Sequence, residues 1–287
     1  MITRFAPSPT GRLHLGHALS AVTAHDRARA AAGAFRLRIE DIDPARCRPE
    51  FARAIFDDLA WLGIGWDGPA VVQSMRLGAY AAALDRMIAA GLAYPCFCSR
   101  ADIAREVAGS LSAPHGADGP LYPGTCRALP RRAAIARAAT DPHSWRLDVA
   151  AAIRLTGPLA WHDERAGTVA ADPVALGDII VKGRDRPASY HLAVVVDDAE
   201  AGITLVVRGM DLFASTHVQR ILQAVLGLPT PTYHHHRLIA GADGRRLAKR
   251  DAAAGIDRLR AAGVEGPALA ESLRHGALPI GFGWATA

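Results

Sequence analysis

Lysine is nearly absent from this chain of 287 residues. Of its 33 basic side chains only Lys182 and Lys249 are lysines, and the other 31 are arginines. A bias this even, in an alanine-rich chain, looks like a coding preference. A lysine that survives it points to chemistry for which a compact ammonium serves better than a broad planar guanidinium; two leftover surface lysines are the alternative. Long apolar runs are also missing. The longest β-rich run, Leu192 to Val196, is far short of the roughly 18 residues that span a bilayer. The opening Met1-Ile2-Thr3-Arg4-Phe5-Ala6-Pro7 has no basic region leading into an apolar stretch, so a secretory leader is not expected. Internal repeats and low-complexity linkers are lacking as well. Together these absences lead to the expectation of a cytoplasmic chain that does not enter membranes.

Hydrophobic residues make up 50% of the chain and charged residues 21%, with a mean hydropathy of +0.10. That is enough to bury a sizeable core and excludes disorder as the main state. The length fits one large or two modest domains. A net charge of +5 and a pI near 9.3 are compatible with a polyanionic partner such as RNA or a nucleotide without demanding one.

Strand, helix and strand alternate at the start. Ile2 to Ala6 reads as a strand, Pro7-Ser8-Pro9-Thr10-Gly11 as an enforced loop, Gly16 to Ala32 as a helix and Phe35 to Ile39 as a second strand. Helical patterns follow near Glu50 to Leu62 and Leu77 to Ala90. This is the βαβ unit of a parallel sheet, and the fold class is α/β. The texture changes at Tyr94, where cysteines, Gly/Pro turns and short strand-like pieces such as Trp145 to Val149 suggest an inserted subdomain. The β pattern returns at Ile179 to Val181, Leu192 to Val196 and Ile203 to Val207, then a helix at Ser215 to Leu226 and a strand at Tyr233 to Ile239. The expected division is 1–93 as the first half of the core, 94–174 as the insert, 175–240 as the second half, and 241–287 as a basic loop with a short helical tail.

The string Arg4-Phe5-Ala6-Pro7-Ser8-Pro9-Thr10-Gly11-Arg12-Leu13-His14-Leu15-Gly16-His17 carries the first chemistry. Amide donors at a helix N-terminus favour an anion such as phosphate. Gly16 lets a flat base lie against the backbone. His14 and His17, three apart, can face one side and donate to a phosphate that gains charge. A lone His-x-x-His would mean little; the whole string resembles the nucleotide-binding motif of class I aminoacyl-tRNA synthetases, and Phe-Ala-Pro-Ser-Pro-Thr-Gly resembles their glutamyl/glutaminyl branch. The resemblance implies a Rossmann-like parallel sheet, ATP brought with Mg2+, and catalytic roles at His14, His17 and Lys249, with Gly16 also at the ATP.

Lys249 sits in Gly244-Arg245-Arg246-Leu247-Ala248-Lys249-Arg250, which resembles the family's second, lysine-bearing loop. Its ammonium would neutralise the α-phosphate and the leaving pyrophosphate; a solvated basic turn is the bland reading. The loop departs from the family at Arg246 and at Ala248, where the usual serine hydroxyl is missing. For the amino acid, Glu40 at a strand end in Glu40-Asp41-Ile42-Asp43 can receive an α-ammonium. The resemblance adds Arg4, Phe5, Ala6, Pro7, Ser8 and Tyr190. Arg208, directly after an apolar strand, can clamp a side-chain carboxylate through two hydrogen bonds, which favours glutamate over glutamine; pairing with a local acid such as Asp211 is the alternative.

The cysteines are Cys47, Cys96, Cys98 and Cys126. Cys96 and Cys98 open the insert and Cys126 follows 28 residues after Cys98. Three thiolates suit a tetrahedral structural Zn2+, and from spacing His115 and Tyr122 compete for the fourth position. Cys47, remote in sequence, reads as a buried small residue, and a disulfide does not suit a cytosolic chain. His234-His235-His236 lie on a strand whose neighbours point to opposite faces, and read as structural or beside the nucleotide.

The Cys-x-Cys and Tyr-x-x-x-Cys arrangement resembles the zinc site of the glutamyl-queuosine tRNA(Asp) synthetase family, a truncated class I glutamyl branch, which implies Tyr122 as the fourth ligand. Only 38 residues follow Lys249, too few for the anticodon-binding domain of a full glutamyl-tRNA synthetase. The resemblance then implies formation of glutamyl-adenylate from ATP and L-glutamate, and transfer of glutamate to queuosine in the anticodon loop of tRNA(Asp), by a monomer. Arg131, Arg132, Arg245, Arg246 and Arg250 are candidates for RNA phosphate contacts, or for a solvated face. A compact synthetase that charges the 3′ end of tRNA(Glu), and a non-catalytic RNA- or metal-binding remnant, are the other readings.

Overall fold

A computed structural model describes residues 1–108, 115–116, 119–245, 247 and 255–285. In chain order its first elements are β1 (Ile2–Phe5), α1 (Leu15–Ala30), β2 (Ala34–Ile39), α2 (Pro49–Trp61), β3 (Val71–Val72), α3 (Leu77–Ala89) and β4 (Ala93–Cys96). The middle holds α4 (Arg100–Ala108), β5 (His115–Gly116), β6 (Gly119–Pro120), α5 (Arg131–Ala138), β7 (Ser144–Leu147), α6 (Val149–Thr156), β8 (Ala160–Asp163), β9 (Gly167–Ala170) and β10 (Ile180–Lys182). Then come α7 (Tyr190–Glu200), β11 (Leu205–Gly209), α8 (Ser215–Leu226), β12 (Thr232–His236), β13 (Ile239–Ala240), α9 (Ile256–Ala261), α10 (Gly266–Arg274) and β14 (Gly283–Trp284).

Strands β1, β2 and β3 run parallel, as do β11, β12 and β8, with β9 antiparallel on β8. The amide of Thr204 donates to the carbonyl of Ile2 at 2.9 Å, which sets β11 beside β1. Strand order therefore reverses between β1 and β11, a topological switch point, and ligands of such sheets bind outside the carboxyl ends of the strands there. The alanine-rich α1 lies close on the sheet: Leu15, Ala18, Leu19, Ala21, Val22, Ala24 and Ala28 are buried, in one core with Phe35, Leu37 and Val207. A second core joins Leu84, Met87, Leu147, Leu192, Val195 and Leu222.

The smaller antiparallel sheet is β10-β7-β4, so it draws on both sides of the boundary expected at 174. Strand β8, inside the expected 94–174 insert, belongs instead to the parallel sheet through its pairing with β12. One expected strand is a helix: Leu192 to Val196 lies in α7. The Ser189 side chain accepts from the Leu192 amide and caps it, and Leu192, Ala193, Val194 and Val195 are all buried. A short apolar run buried on every side has no polar face from which a helical period can be read. Among the described residues no helix is long and apolar enough to cross a membrane.

Candidate active site

The carboxyl ends of β1, β2, β11 and β12, with the start of α7, close around a cavity of about 450 Å³, within the range of small-molecule sites. Arg4, Phe5, Ala6, Pro7 and Ser8 line it from β1 and the loop after it, and His14, Gly16 and His17 from the entry of α1. Glu40, Tyr190 and Arg208 contribute from β2, α7 and β11. All the expected glutamate and nucleotide residues within the described chain thus meet in one place. Lys249, with Arg246, Ala248 and Arg250, lies outside the described residues. On either side of it, Leu247 lines the cavity and Gly255 forms an isolated antiparallel bridge with His14.

The histidine turn is built by reciprocal capping. The His14 Nδ1 accepts from the Gly16 amide, and the His17 Nδ1 accepts from the His14 amide, both at 3.1 Å. An acceptor Nδ1 places the proton of a neutral imidazole on Nε2, so each ring has its donor at Nε2. A Cβ on Gly16 would lie 3.1 Å from the His14 ring; the glycine keeps room for the cap itself.

Behind the cavity is a buried charge lattice. Asp198 Oδ1 accepts from Arg4 Nε at 3.2 Å and from Arg38 Nη1 at 2.5 Å. Arg38 also holds Glu40 at 2.9 Å. Asp197 accepts from Gln73, Arg76 and Tyr80 at 2.7 to 2.8 Å. Burial opposes ionisation of Asp198, yet Arg38 and Arg4 hold its carboxyl below the usual range. Burial pushes Glu40 up against the pull of Arg38, and a cation arriving in the cavity would draw it back down. Burial likewise raises the Tyr190 phenol.

Arg208 is 5% exposed. Its Nε donates to His235 Nε2 at 3.0 Å, Nη1 to Gln219 Oε1 at 2.8 Å, and Nη2 to Thr216 Oγ1 at 2.7 Å. All three acceptors are neutral side chains, and each terminal nitrogen keeps a second N–H. Sequence reasoning found Arg208 but not these holders. It also missed Asp43, which pairs with Arg46 at 2.5 Å and Arg186 at 2.9 Å on the cavity wall, and Cys47, which lines the cavity rather than the core. The acidic run after β2 was the available signal for Asp43. His236 lines the cavity and meets Ser20 Oγ at 2.6 Å, while His234 pairs with Glu164 at 2.8 Å; the triplet alternates as a strand must.

The thiols of Cys96, Cys98 and Cys126 lie within 4.8 Å of one another. Cys98 and Cys126 are 3.5 Å apart, and Tyr122 Oη is 3.8 Å from Cys98 Sγ. Four ligands about 2.3 Å from a tetrahedral metal stand about 3.8 Å from each other, so the donor set fits such an ion. The Arg146 guanidinium stacks 3.9 Å from the Tyr122 ring. The side chain of His115 lies outside the description. Among the RNA candidates, Arg131 donates to the Ile88 carbonyl, Arg132 is exposed, and Arg245 is exposed beside Asp243 at 4.0 Å.

The chain is similar to known proteins over most of its length. A family model described as class I tRNA synthetases (E and Q), catalytic domain, matches residues 1–279. A glutamyl-Q tRNA(Asp) synthetase of Rhodobacter capsulatus is 50% identical over 270 residues, 92% of this chain and 96% of that protein. One from Symbiobacterium thermophilum is 45% identical over 91% of this chain and 81% of its own length. Among solved structures, a glutamate tRNA ligase from Elizabethkingia meningosepticum in complex with its amino acid superposes with a TM-score of 0.74 at 28% identity, over 88% of this chain. The chain spans about half, 52%, of that ligase.

Proposed function

The chain belongs to the class I tRNA synthetases of the glutamyl and glutaminyl branch, and from that premise we propose that it activates L-glutamate with ATP and transfers it to queuosine in the anticodon loop of tRNA(Asp). The observation that carries the glutamate half is Arg208, a buried guanidinium on the cavity wall whose side-chain acceptors are all neutral. Its charge is left for an acid that enters the cavity, and its two remaining terminal N–H groups suit a carboxylate. Glu40 takes the α-ammonium, and Arg4, Phe5, Ala6, Pro7, Ser8 and Tyr190 close the pocket.

In the first step a carboxylate oxygen of glutamate attacks the α-phosphorus of ATP. The bond to the bridging oxygen breaks, and pyrophosphate leaves with the electron pair. The Nε2–H donors of His14 and His17 stabilise the charge that gathers on the α-phosphate oxygens, and the Lys249 ammonium stabilises the leaving group. Support for that role comes from the residues that flank Lys249: Leu247 lines the cavity and Gly255 bridges His14 of the opening turn. Mg2+ enters with ATP as part of the substrate. In the second step a hydroxyl of the queuosine ring attacks the activated carbonyl, AMP departs with the pair from the broken bond, and the hydroxyl proton is released. Cys96, Cys98, Tyr122 and Cys126 would hold Zn2+, which supplies a structural cross-link within the insert. Arg131, Arg132 and Arg245 are offered as phosphate contacts, which makes RNA binding weaken with salt. The reading carries with it a cytoplasmic monomer.

Glutamate-dependent ATP–pyrophosphate exchange tests the first step, and its absence refutes the reading. Fragmenting tRNA(Asp) after reaction with labelled glutamate tests the second: label is expected on the anticodon fragment. Label on the acceptor fragment of tRNA(Glu) would favour the second reading, to which the likeness to a glutamate tRNA ligase gives weight.

A further inference from the structure

Strands β11 and β12 pair in parallel with Arg208 opposite His235, and β8 delivers Asp163 to the far side of the same imidazole. Asp163 and His235 are both fully buried. Asp163 Oδ2 accepts from His235 Nδ1 at 2.7 Å and from the His235 amide at 3.1 Å, while Oδ1 accepts from the amides of Arg165 and Ala166 at 2.9 Å. On the other side of the ring, Arg208 Nε meets His235 Nε2 at 3.0 Å. Trp161 and Phe213 pack edge-on against the imidazole and Tyr233 stacks nearly parallel to it.

The chemistry of the two neighbours decides where the imidazole proton sits. A guanidinium has no acceptor, so Nε2 must accept. A carboxylate that receives three backbone N–H groups is held ionised and has no donor to offer, so Nδ1 must carry the proton. Only the neutral Nδ1–H tautomer satisfies both. His235 does not line the cavity, so it reaches a ligand only through Arg208.

We infer that His235, fixed in this tautomer by Asp163, is a positioning residue for Arg208 and so sets the preference of the cavity for a side-chain carboxylate over an amide. This rests on the reading of Arg208 as the glutamate clamp. Three neutral acceptors orient the guanidinium without neutralising it, whereas a direct carboxylate partner would compete with the substrate. Interposing an imidazole keeps Asp163 one ring away from the site and still uses its charge to hold the donor–acceptor order.

Two substitutions separate the halves of the ring. The side-chain amide of His235→Asn reaches the place of Nδ1 and can keep the Asp163 contact, while that of His235→Gln reaches the place of Nε2 and can accept from Arg208. In pyrophosphate exchange, His235→Asn is expected to raise the KM for glutamate at least tenfold, the scale of one lost hydrogen bond to a charged group. The KM for ATP should stay within twofold, and the preference for glutamate over glutamine should narrow. His235→Gln is expected to stay within about threefold of the unaltered chain. The reverse order, or a lowered Tm in both with the KM for glutamate unmoved, overturns the proposal in favour of a purely structural role. Histidine 15N NMR of the unaltered chain gives an independent readout: a proton on Nε2 of His235 overturns the proposal whatever the substrate. If the unaltered chain supports no exchange with glutamate, the functional reading and the selectivity claim fail together, while the NMR result still decides the tautomer.

Discussion

Replacing Asp198 by Asn tests the charge lattice behind the cavity. The side chains of Arg4, Arg38 and Asp198 are 7%, 4% and 10% exposed, so solvent screens them little. Arg38 would keep Glu40 at 2.9 Å and Asp197 at 3.8 Å. Arg4 would keep the Val207 carbonyl at 3.2 Å but lose its carboxylate. The cost therefore falls on one guanidinium. Breaking a buried pair from one side costs about 3 to 5 kcal/mol, and the amide oxygen of Asn remains as an acceptor, so the lower end, about 3 kcal/mol, applies. For a chain of this size that is a fall in Tm of about 5 °C. Because Arg4 also lines the cavity, the KM for glutamate in pyrophosphate exchange should rise about tenfold. Calorimetry at neutral pH reads the first effect and exchange kinetics the second. A Tm within about 2 °C of the unaltered chain, with an unchanged KM, would mean that Asp198 does not hold Arg4 and the reasoning is wrong.

Lys249→Ala is expected to lower pyrophosphate exchange by about 10² to 10³-fold, and exchange at the unaltered rate would remove the residue from the mechanism. Cys98→Ala should release the metal and lower the Tm; elemental analysis that finds the same zinc content in both proteins counts against the site. Gly16→Ala pushes a methyl towards the His14 ring 3.1 Å away, and loss of that cap should cost about 1 kcal/mol and raise the KM for ATP, whereas an unmoved KM would show that the cap is not needed there. Burial and Arg208 lower the His235 pKa from 6.5 to about 4. The unfolded chain therefore binds the proton first, and stability present above pH 6.5 should fall by up to roughly 3 kcal/mol as the pH drops towards 4; His235→Gln should flatten that part of the denaturant-monitored profile.

The opening βαβ unit was legible because its signals are local. The Pro/Gly loop breaks the chain, alternation marks β2, and the observed β1, α1 and β2 agree with the expected bounds to within a residue or two. Leu192 to Val196 failed for a physical reason: a helix buried on nearly every side looks like a buried strand when only hydrophobicity is read. The strand-end position of Arg208 was visible in sequence, but its partners were not. His235 arrives through register between parallel strands and Asp163 through a third strand, and no local pattern encodes which residues face across a ladder. The cysteine spacing announced a cluster that the fold brings within reach of one ion. Lysine scarcity singled out Lys249, but the other survivor, Lys182, lies in β10 of the smaller sheet and away from the cavity lining.

The charge order of the cavity also explains why one group of the substrate should be the reactive one. Glu40 and Arg208 lie on walls contributed by different strands and carry opposite signs. Glutamate has an ammonium and two carboxylates. With the ammonium on Glu40 and the side-chain acid on Arg208, the α-carboxylate is the anion left over, and His14 and His17, whose capping puts the ring proton on Nε2, line the same cavity. Exchanging the two ends would set an acid against Glu40 and a cation against Arg208, so electrostatics opposes the inverted pose. Glutamine can adopt the productive pose only by turning an N–H donor towards a guanidinium that offers nothing but donors. One such unmatched buried donor costs about 1 to 3 kcal/mol, or roughly 5- to 150-fold in affinity, and equal exchange rates with the two amino acids at subsaturating concentration would contradict the arrangement.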